Sequence, residues 1–183
     1  NKDYSLTTGM IPLGSCTMKL NAAIEMMPLS IPEIAQIHPF SNPDTYQGYT
    51  EIINQLGNWL CAITDFDDIS FQPNSGAQGE YAGILAIKRY NDSKNQAHRH
   101  IALIPTSAHG TNPASAVMAG LDVIPINCNE QGDIDIEDLT KKCKQYSENI
   151  ALLMLTYPST HGVFEENVQT ICNIIHHYGG QVY

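Results

Sequence analysis

Apolar positions change their period several times along this 183-residue chain. From about Tyr46 to Ile63 they recur at helical spacing (Ile52, Ile53, Leu56, Trp59, Leu60, Ile63), which predicts a long helix with one apolar face. Tyr81, Ile84 and Leu85, with the stem of Lys88 one turn on, predict a second helix that follows Gln78 and ends near Tyr90. After a polar loop at Asn91 to Lys94, short apolar runs alternate with amphipathic stretches. Strands are expected at Ile101–Ile104, Asp122–Ile126 and Ala151–Thr156. Helices are expected from Asn112-Pro113, with the proline in the first turn, to about Gly120, then from Ile136 to Tyr146 and from Glu165 to His177. Gly179-Gly180 ends the last helix, and Gln181-Val182-Tyr183 reads as the start of a buried strand. Strand–helix alternation with short polar turns points to an α/β fold, its sheet largely parallel with helices on the faces.

The first 45 residues break this rhythm. They carry Pro12, Pro28, Pro32, Pro39 and Pro43, and one short helix is expected, from an Asn21 cap to Met27, with Pro28 as its stop. Residues 1–45 therefore read as an N-terminal arm, rich enough in apolar residues to wrap a surface, and 46–183 as part of a larger α/β domain. The missing initial Met and the strand just begun at Gln181 lead us to expect a piece of a longer protein.

Composition narrows the class. Apolar residues make up 43% of the chain and charged residues 15%, which fits a globular domain and not a disordered one. The formal net charge of −10 opposes nonspecific binding to nucleic acid or an anionic membrane surface, and no basic run offsets it. No apolar span is long enough to cross a membrane, and the N-terminal residues lack the basic and apolar regions of a signal peptide. Cys16, Cys61, Cys128, Cys143 and Cys172 are odd in number, scattered and without a CxxC, so neither a disulfide framework nor a zinc site is indicated.

Chemistry concentrates in three loops, each expected at the carboxyl end of a strand, where open α/β sheets bind ligands. The first is Gln72 to Gln78. Ser75-Gly76-Ala77-Gln78 has little side-chain bulk and lies directly ahead of a helix, whose unpaired N–H groups and positive dipole end suit a phosphate ester. A capped helix start that binds nothing has the same pattern. The second loop, TSAHGTNPAS, holds His109 between Ala108 and Gly110. That imidazole can serve as a base, a metal ligand or a stacking surface, or simply bond to backbone. The third, TYPSTHG, begins at Thr156 and holds His161. No HxxxH or HxxE spacing accompanies the two histidines, so no metal site is expected. Cys16 lies in a polar Gly-Ser loop with no base nearby in sequence.

Four segments carry a resemblance: PLGSCTMKLN (Pro12 to Asn21), QPNSGAQGEYAG (Gln72 to Gly83), SAHGTNPASA (Ser107 to Ala116) and TYPSTHGVFEE (Thr156 to Glu166). In this order they resemble the glycine decarboxylase family, the P-proteins of the glycine cleavage system, in the active C-terminal half that some bacteria make as a separate subunit. The resemblance implies the large domain of a pyridoxal-phosphate-dependent transferase of the aspartate aminotransferase type, fold type I, here truncated. It implies pyridoxal 5'-phosphate as cofactor, glycine as substrate, and the lipoylated H-protein as acceptor of the aminomethyl group. It also implies a second half or subunit, in a homodimer or a heterotetramer, located in bacterial cytoplasm or the mitochondrial matrix.

By motif, Ser75, Gly76, Ala77 and Gln78 resemble the phosphate-binding turn. His109 resembles the residue that stacks on the pyridine ring and assists proton transfer, and Thr156 a residue contacting that ring. Ser15, Cys16 and Thr17 resemble the arm at the substrate entrance. The chain departs from the family pattern at one point: the Asp that pairs with the pyridine nitrogen and the Lys that forms the internal Schiff base have no counterpart among its residues. The chain alone is therefore expected to be inactive. Another fold-type I decarboxylase or lyase, or a non-catalytic binding subunit of this fold, are the alternative readings.

Overall fold

A computed structural model describes Gly9 and residues 23–183. The chain divides into two compact units, Asn1–Ile69 and Ser70–Tyr183.

In the first unit, α1 (Ala23–Met26) runs into a 3-10 turn at Met27–Ser30. Pro28 stands near the start of that turn, where its missing N–H leaves nothing unpaired, so the proline redirects the helix instead of ending it. The expected Asn21 cap lies outside the described residues. A further helix that periodicity could not reveal, α2 (Pro32–Ala35), uses the same proline start over only four residues. The long helix α3 (Gln47–Thr64) follows as expected and ends at Asp65 in the left-handed conformation. The Tyr49 hydroxyl donates to the Ile34 carbonyl at 2.6 Å, tying α2 to α3. The apolar stripe of α3 is not a core face: Trp59 and Ile63 are 58% and 79% exposed, and Gly57 is its one buried residue.

The second unit opens with α4 (Gly76–Ser93). Then come β1 (Ile101–Pro105), α5 (Thr111–Met118), β2 (Asp122–Ile126), α6 (Ile136–Tyr146), β3 (Ile150–Leu153), α7 (Val168–His177) and β4 (Gln181–Val182). The strands form one parallel sheet in the order β2-β1-β3-β4. Its two faces are filled by alternate residues of the strands. Ile101 and Leu103 of β1 join Leu139 and Cys143 of α6 and Ile171 and Ile175 of α7 on one face. Ala102 and Ile104 join Ile84 of α4 and Ala116 of α5 on the other. A bulge in the β1–β3 register between Ile101 and Ala102 leaves Ala151 and Leu152 both on the α4/α5 side.

This distribution of helices follows from handedness. The step from β1 to β2 goes one way along the sheet, whereas the steps from β2 to β3 and from β3 to β4 go the other way. Right-handed crossovers must then place α5 on one face and α6 and α7 on the opposite one. Chain direction therefore reverses at β1 and β3, which are paired neighbours, and a crevice opens beyond their carboxyl ends.

Helices α4 and α5 pack side by side in parallel through one stripe of α4. Glu80, Ile84 and Lys88, four residues apart, face inward. Glu80 accepts from Thr111 and Ser115 in the first turns of α5, Ile84 is fully buried, and the Lys88 ammonium donates to Ala119 O at the end of α5. Each charge thus meets the α5 terminus of opposite dipole sign.

At the opposite end of the sheet, Gly179 (φ +79°) ends α7 in the left-handed region. The Arg99 guanidinium lies where a side chain there would begin and donates to Ile150 O at 2.9 Å and Tyr178 O at 3.0 Å. Helix α7 starts three residues later than its periodicity suggests, because Glu165 is held outside the helix. Its buried carboxylate accepts from Ile134 N at 2.8 Å and Asn167 N at 3.1 Å.

Candidate functional site

The turn at Asn74 to Gln78 is built by reciprocal capping. Ser75 is the N-cap of α4, and its hydroxyl oxygen accepts from Gln78 N at 3.2 Å. The Gln78 side chain folds back, its Oε1 accepting from Asn74 N at 2.7 Å. The S-x-x-Q spacing is that of a capping box, shifted by one residue at its return bond. Gly79 N is taken by Ser75 O, which leaves Gly76 N and Ala77 N as helix-start donors without a protein acceptor among the described residues. A Cβ on Gly76 would meet nothing within 4 Å, so the turn is open in front of those donors. The Ser75 O–H and the Gln78 NH2 are two more donors not consumed by the cap. Four donors on one exposed turn, with no acidic side chain in the first helical turn, fit a phosphate group. One expectation about this turn needs correction: it does not follow a strand, because residues 65–74 form none.

The second loop leaves the carboxyl end of β1. Ala108 N donates to Pro105 O and Asn112 N to His109 O, so the chain turns twice before α5 begins at Thr111. His109 is exposed, and its Nδ1 lies 3.0 Å from Thr111 Oγ1 and 3.3 Å from Thr111 N. Thr111 Oγ1 in turn donates to Glu80 Oε1 at 3.0 Å, while Ser115 Oγ donates to Glu80 Oε2 at 2.9 Å. The Asn74–Gln78 turn and the His109 loop are therefore joined through Glu80, which sits one helical turn inside α4.

The third loop leaves β3. Met154 N and Leu155 N still bond to Leu103 O and Tyr183 O, so the ladder continues to the residue before Thr156. Thr156 is exposed, and Ser159 shapes the turn after it, its hydroxyl oxygen accepting from His161 N and Val163 N. Ser107, Ala108, Thr156 and Ser159 line one small cavity of about 20 Å³, so the second and third loops meet at the sheet reversal. Beside it, an open cleft of about 340 Å³ is lined by Thr106, Cys128, Asn129 and His161. A wider groove of about 750 Å³ runs along α3 between Pro43 and Trp59, and none of the expected site residues lines it.

Of the residues singled out in the sequence, Ser75, Gly76, Ala77, Gln78, His109 and Thr156 thus occupy the second unit, and Glu80 and β1–β3 pairing link the loops that carry them. Ser15, Cys16 and Thr17 lie outside the described residues. Sequence reasoning missed Glu80, Thr111 and Ser115. Only Glu80 carried a signal: it lies four residues before the core-facing Ile84, and an acidic residue on a core face needs partners. Among the described residues, no group of three His, Cys, Asp or Glu side chains is placed to hold a metal ion. No described helix is long and apolar enough to cross a membrane.

This parallel sheet, reversing at β1 and β3 with its polar loops beyond the strand ends, is the fold of the large domain of pyridoxal-phosphate-dependent fold-type I enzymes. A solved glycine decarboxylase (P-protein) of the glycine cleavage system, in inhibitor-bound form, superposes with a TM-score of 0.70 at 13% identity, covering 88% of this chain and 34% of that one. The structure of Oryza sativa TDC with PLP and tryptamine gives a TM-score of 0.66 at 15% identity, covering 88% and 40%. Over all 183 residues the chain is 58% identical to the glycine dehydrogenase (decarboxylating) of Deinococcus radiodurans. It spans 19% of that relative's length. No family model matches the chain.

Proposed function

We propose that this chain carries the phosphate-binding turn and the ring-facing loops of a pyridoxal-phosphate-dependent glycine dehydrogenase (decarboxylating). The observation that carries the reading is the pair of N–H donors at Gly76 and Ala77, without an acceptor among the described residues, in a turn that, with the rest of the chain, is 58% identical to such an enzyme. Pyridoxal phosphate, when bound, supplies the electron sink for the pair released as carbon dioxide leaves the amino acid.

The chain's own residues bind and orient. Gly76 N and Ala77 N, with the Ser75 hydroxyl and the Gln78 amide, would hold the phosphate, aided by the positive end of α4. His109 would offer its ring face for stacking and its free nitrogen for proton transfer, and Thr156 would contact the ring from the end of β3. Ser15, Cys16 and Thr17 would line the entrance. The same reading supplies the partners: glycine, a lipoylated H-protein as aminomethyl acceptor, and a second half or subunit, in bacterial cytoplasm or the mitochondrial matrix. The lysine and aspartate that this chemistry requires would come from outside residues 1–183.

The test is release of labelled carbon dioxide from carboxyl-labelled glycine by the intact protein with pyridoxal phosphate and lipoylated H-protein. Release that depends on both additions supports the reading. Release from another amino acid but not from glycine would replace it with a different decarboxylase of this fold.

A further inference from the structure

The hydrogen-bond chain His109–Thr111–Glu80 has a direction. A hydroxyl carries one proton, and Thr111 Oγ1 lies 3.0 Å both from the Glu80 carboxylate and from His109 Nδ1. A carboxylate can only accept, and bonds to it are about twice as strong as neutral ones. The Thr111 proton therefore goes to Glu80, as does that of Ser115 on the second carboxylate oxygen. Thr111 Oγ1 is then left as an acceptor toward the ring, and it must receive from Nδ1–H. The competing arrangement, in which Thr111 N–H donates to an unprotonated Nδ1, has the longer distance of 3.3 Å.

We infer that Glu80, acting through Thr111, is a positioning residue that fixes His109 in the Nδ1–H tautomer and leaves Nε2 as the free lone pair. The loop histidine then meets a ligand as a proton acceptor at Nε2, not as a donor. Glu80 belongs to the helix whose first turn offers the phosphate donors, so one helix would hold the anion and set the proton inventory of the ring beside it. The bearing on catalysis rests on the function proposed above; the tautomer itself does not.

The test is long-range proton–nitrogen correlation NMR on the full chain with nitrogen-labelled histidine, without cofactor. The His109 signals are assigned by their loss in His109→Asn. The wild type is expected to show a protonated Nδ1 and a bare Nε2. Glu80→Ala frees the Thr111 hydroxyl to turn toward the ring, and Thr111→Val leaves only the backbone N–H, so each should lose the Nδ1–H form. Thr111→Ser should keep it. Ser115→Ala, which removes the other clamp on Glu80 but not the relay, should keep it as well. A merely structural Glu80 would lower the melting temperature in Glu80→Ala and leave the tautomer in place, which overturns the inference. An Nε2–H wild type overturns it without any variant. Because no cofactor is used, an intact Nδ1–H relay in a protein that releases no carbon dioxide from glycine would sink the functional reading alone.

Discussion

The ring of Tyr183 fills the space in which a side chain at Gly83 would begin: a Cβ there would lie 2.4 Å from Tyr183 Cε2 and 2.7 Å from Cδ2. The ring is delivered by backbone. Tyr183 N donates to Leu153 O and Tyr183 O accepts from Leu155 N, which extends the β3–β4 ladder and aims the side chain at the middle of α4. Burial, and secondarily the charge of Glu80, push the phenol pKa above its ordinary 10.0.

A glycine inside a helix normally weakens it by about 0.5–1 kcal/mol relative to alanine, so Gly83→Ala would be stabilising if the space were free. Here it is expected to destabilise instead, by about 1–3 kcal/mol if the ring stays and overpacks the contact. If the ring swings out, its phenol should titrate closer to the ordinary value, read by ultraviolet difference absorbance. Removing the ring as well, in Gly83→Ala/Tyr183→Ala, should make the alanine favourable again. A Gly83→Ala variant that is more stable than wild type with unchanged tyrosine titration would contradict the contact.

Gly76→Pro separates binding from folding at the proposed phosphate turn. Proline suits the first helical position, and Ser75 before it already has the extended backbone (φ −155°, ψ 164°) that a residue preceding proline requires. The substitution should leave the melting temperature unchanged or slightly higher while deleting one of the two free donors. Hydrogen bonds to charged groups contribute about 1.5–3 kcal/mol, so affinity of the intact protein for pyridoxal phosphate should fall by about tenfold or more. Affinity for pyridoxal, which lacks the phosphate, should barely change. Equal losses for both compounds would place the phosphate elsewhere.

Periodicity makes the second unit legible and the first one much less so. Ile101, Leu103, Ala102 and Ile104 announce a strand buried on both faces, and all four are buried on the expected alternation. The helix boundaries miss by a few residues wherever a side chain captures backbone, as Glu165 does ahead of α7. The stripe on α3 has the same helical signature as that of α4, yet it is largely exposed, whereas Ile84 of α4 is fully buried although Leu85 is not. Periodicity reports that a face is apolar, and what covers it is a tertiary fact. In the candidate site, glycine, serine and histidine in loops were visible as turn chemistry. The Glu80–Thr111 link was not, because a contact between residues 31 apart leaves no local pattern.

Asp138 gives the fold a pH dependence of known sign. Its carboxylate accepts from Asn127 N at 2.8 Å and from the Lys142 ammonium at 2.8 Å, and these bonds, backbone first, hold its pKa below the ordinary 3.8. In the unfolded chain the group regains that ordinary value. The stabilisation is therefore complete above about pH 4 and is lost as pH falls through the lower folded value, since below it both states are protonated. Asp138→Asn should lower the melting temperature at neutral pH and flatten its decline on the acid side. A variant with the wild-type acid slope would show that another carboxylate carries the effect.

None of the described lysines is placed to start the proposed chemistry. Lys88 and Lys94 lie on or just past α4, with the Lys88 ammonium 2.5 Å from Ala119 O and that of Lys94 over the Tyr90 ring. Lys141, Lys142 and Lys144 lie on α6, which covers the face of the sheet opposite α4 and α5. None follows β1, β2 or β3 into the loops that carry His109 and Thr156. Lys2 and Lys19 fall outside the described residues. The 183-residue chain, incubated with pyridoxal phosphate and reduced with borohydride, should therefore give only scattered substoichiometric adducts by peptide mass spectrometry. The intact protein should give one stoichiometric adduct at a lysine outside residues 1–183. A single clean adduct within this chain, at Lys19 or Lys88 for example, would mean that the chain holds its own reactive lysine and that the division of the site proposed here is wrong.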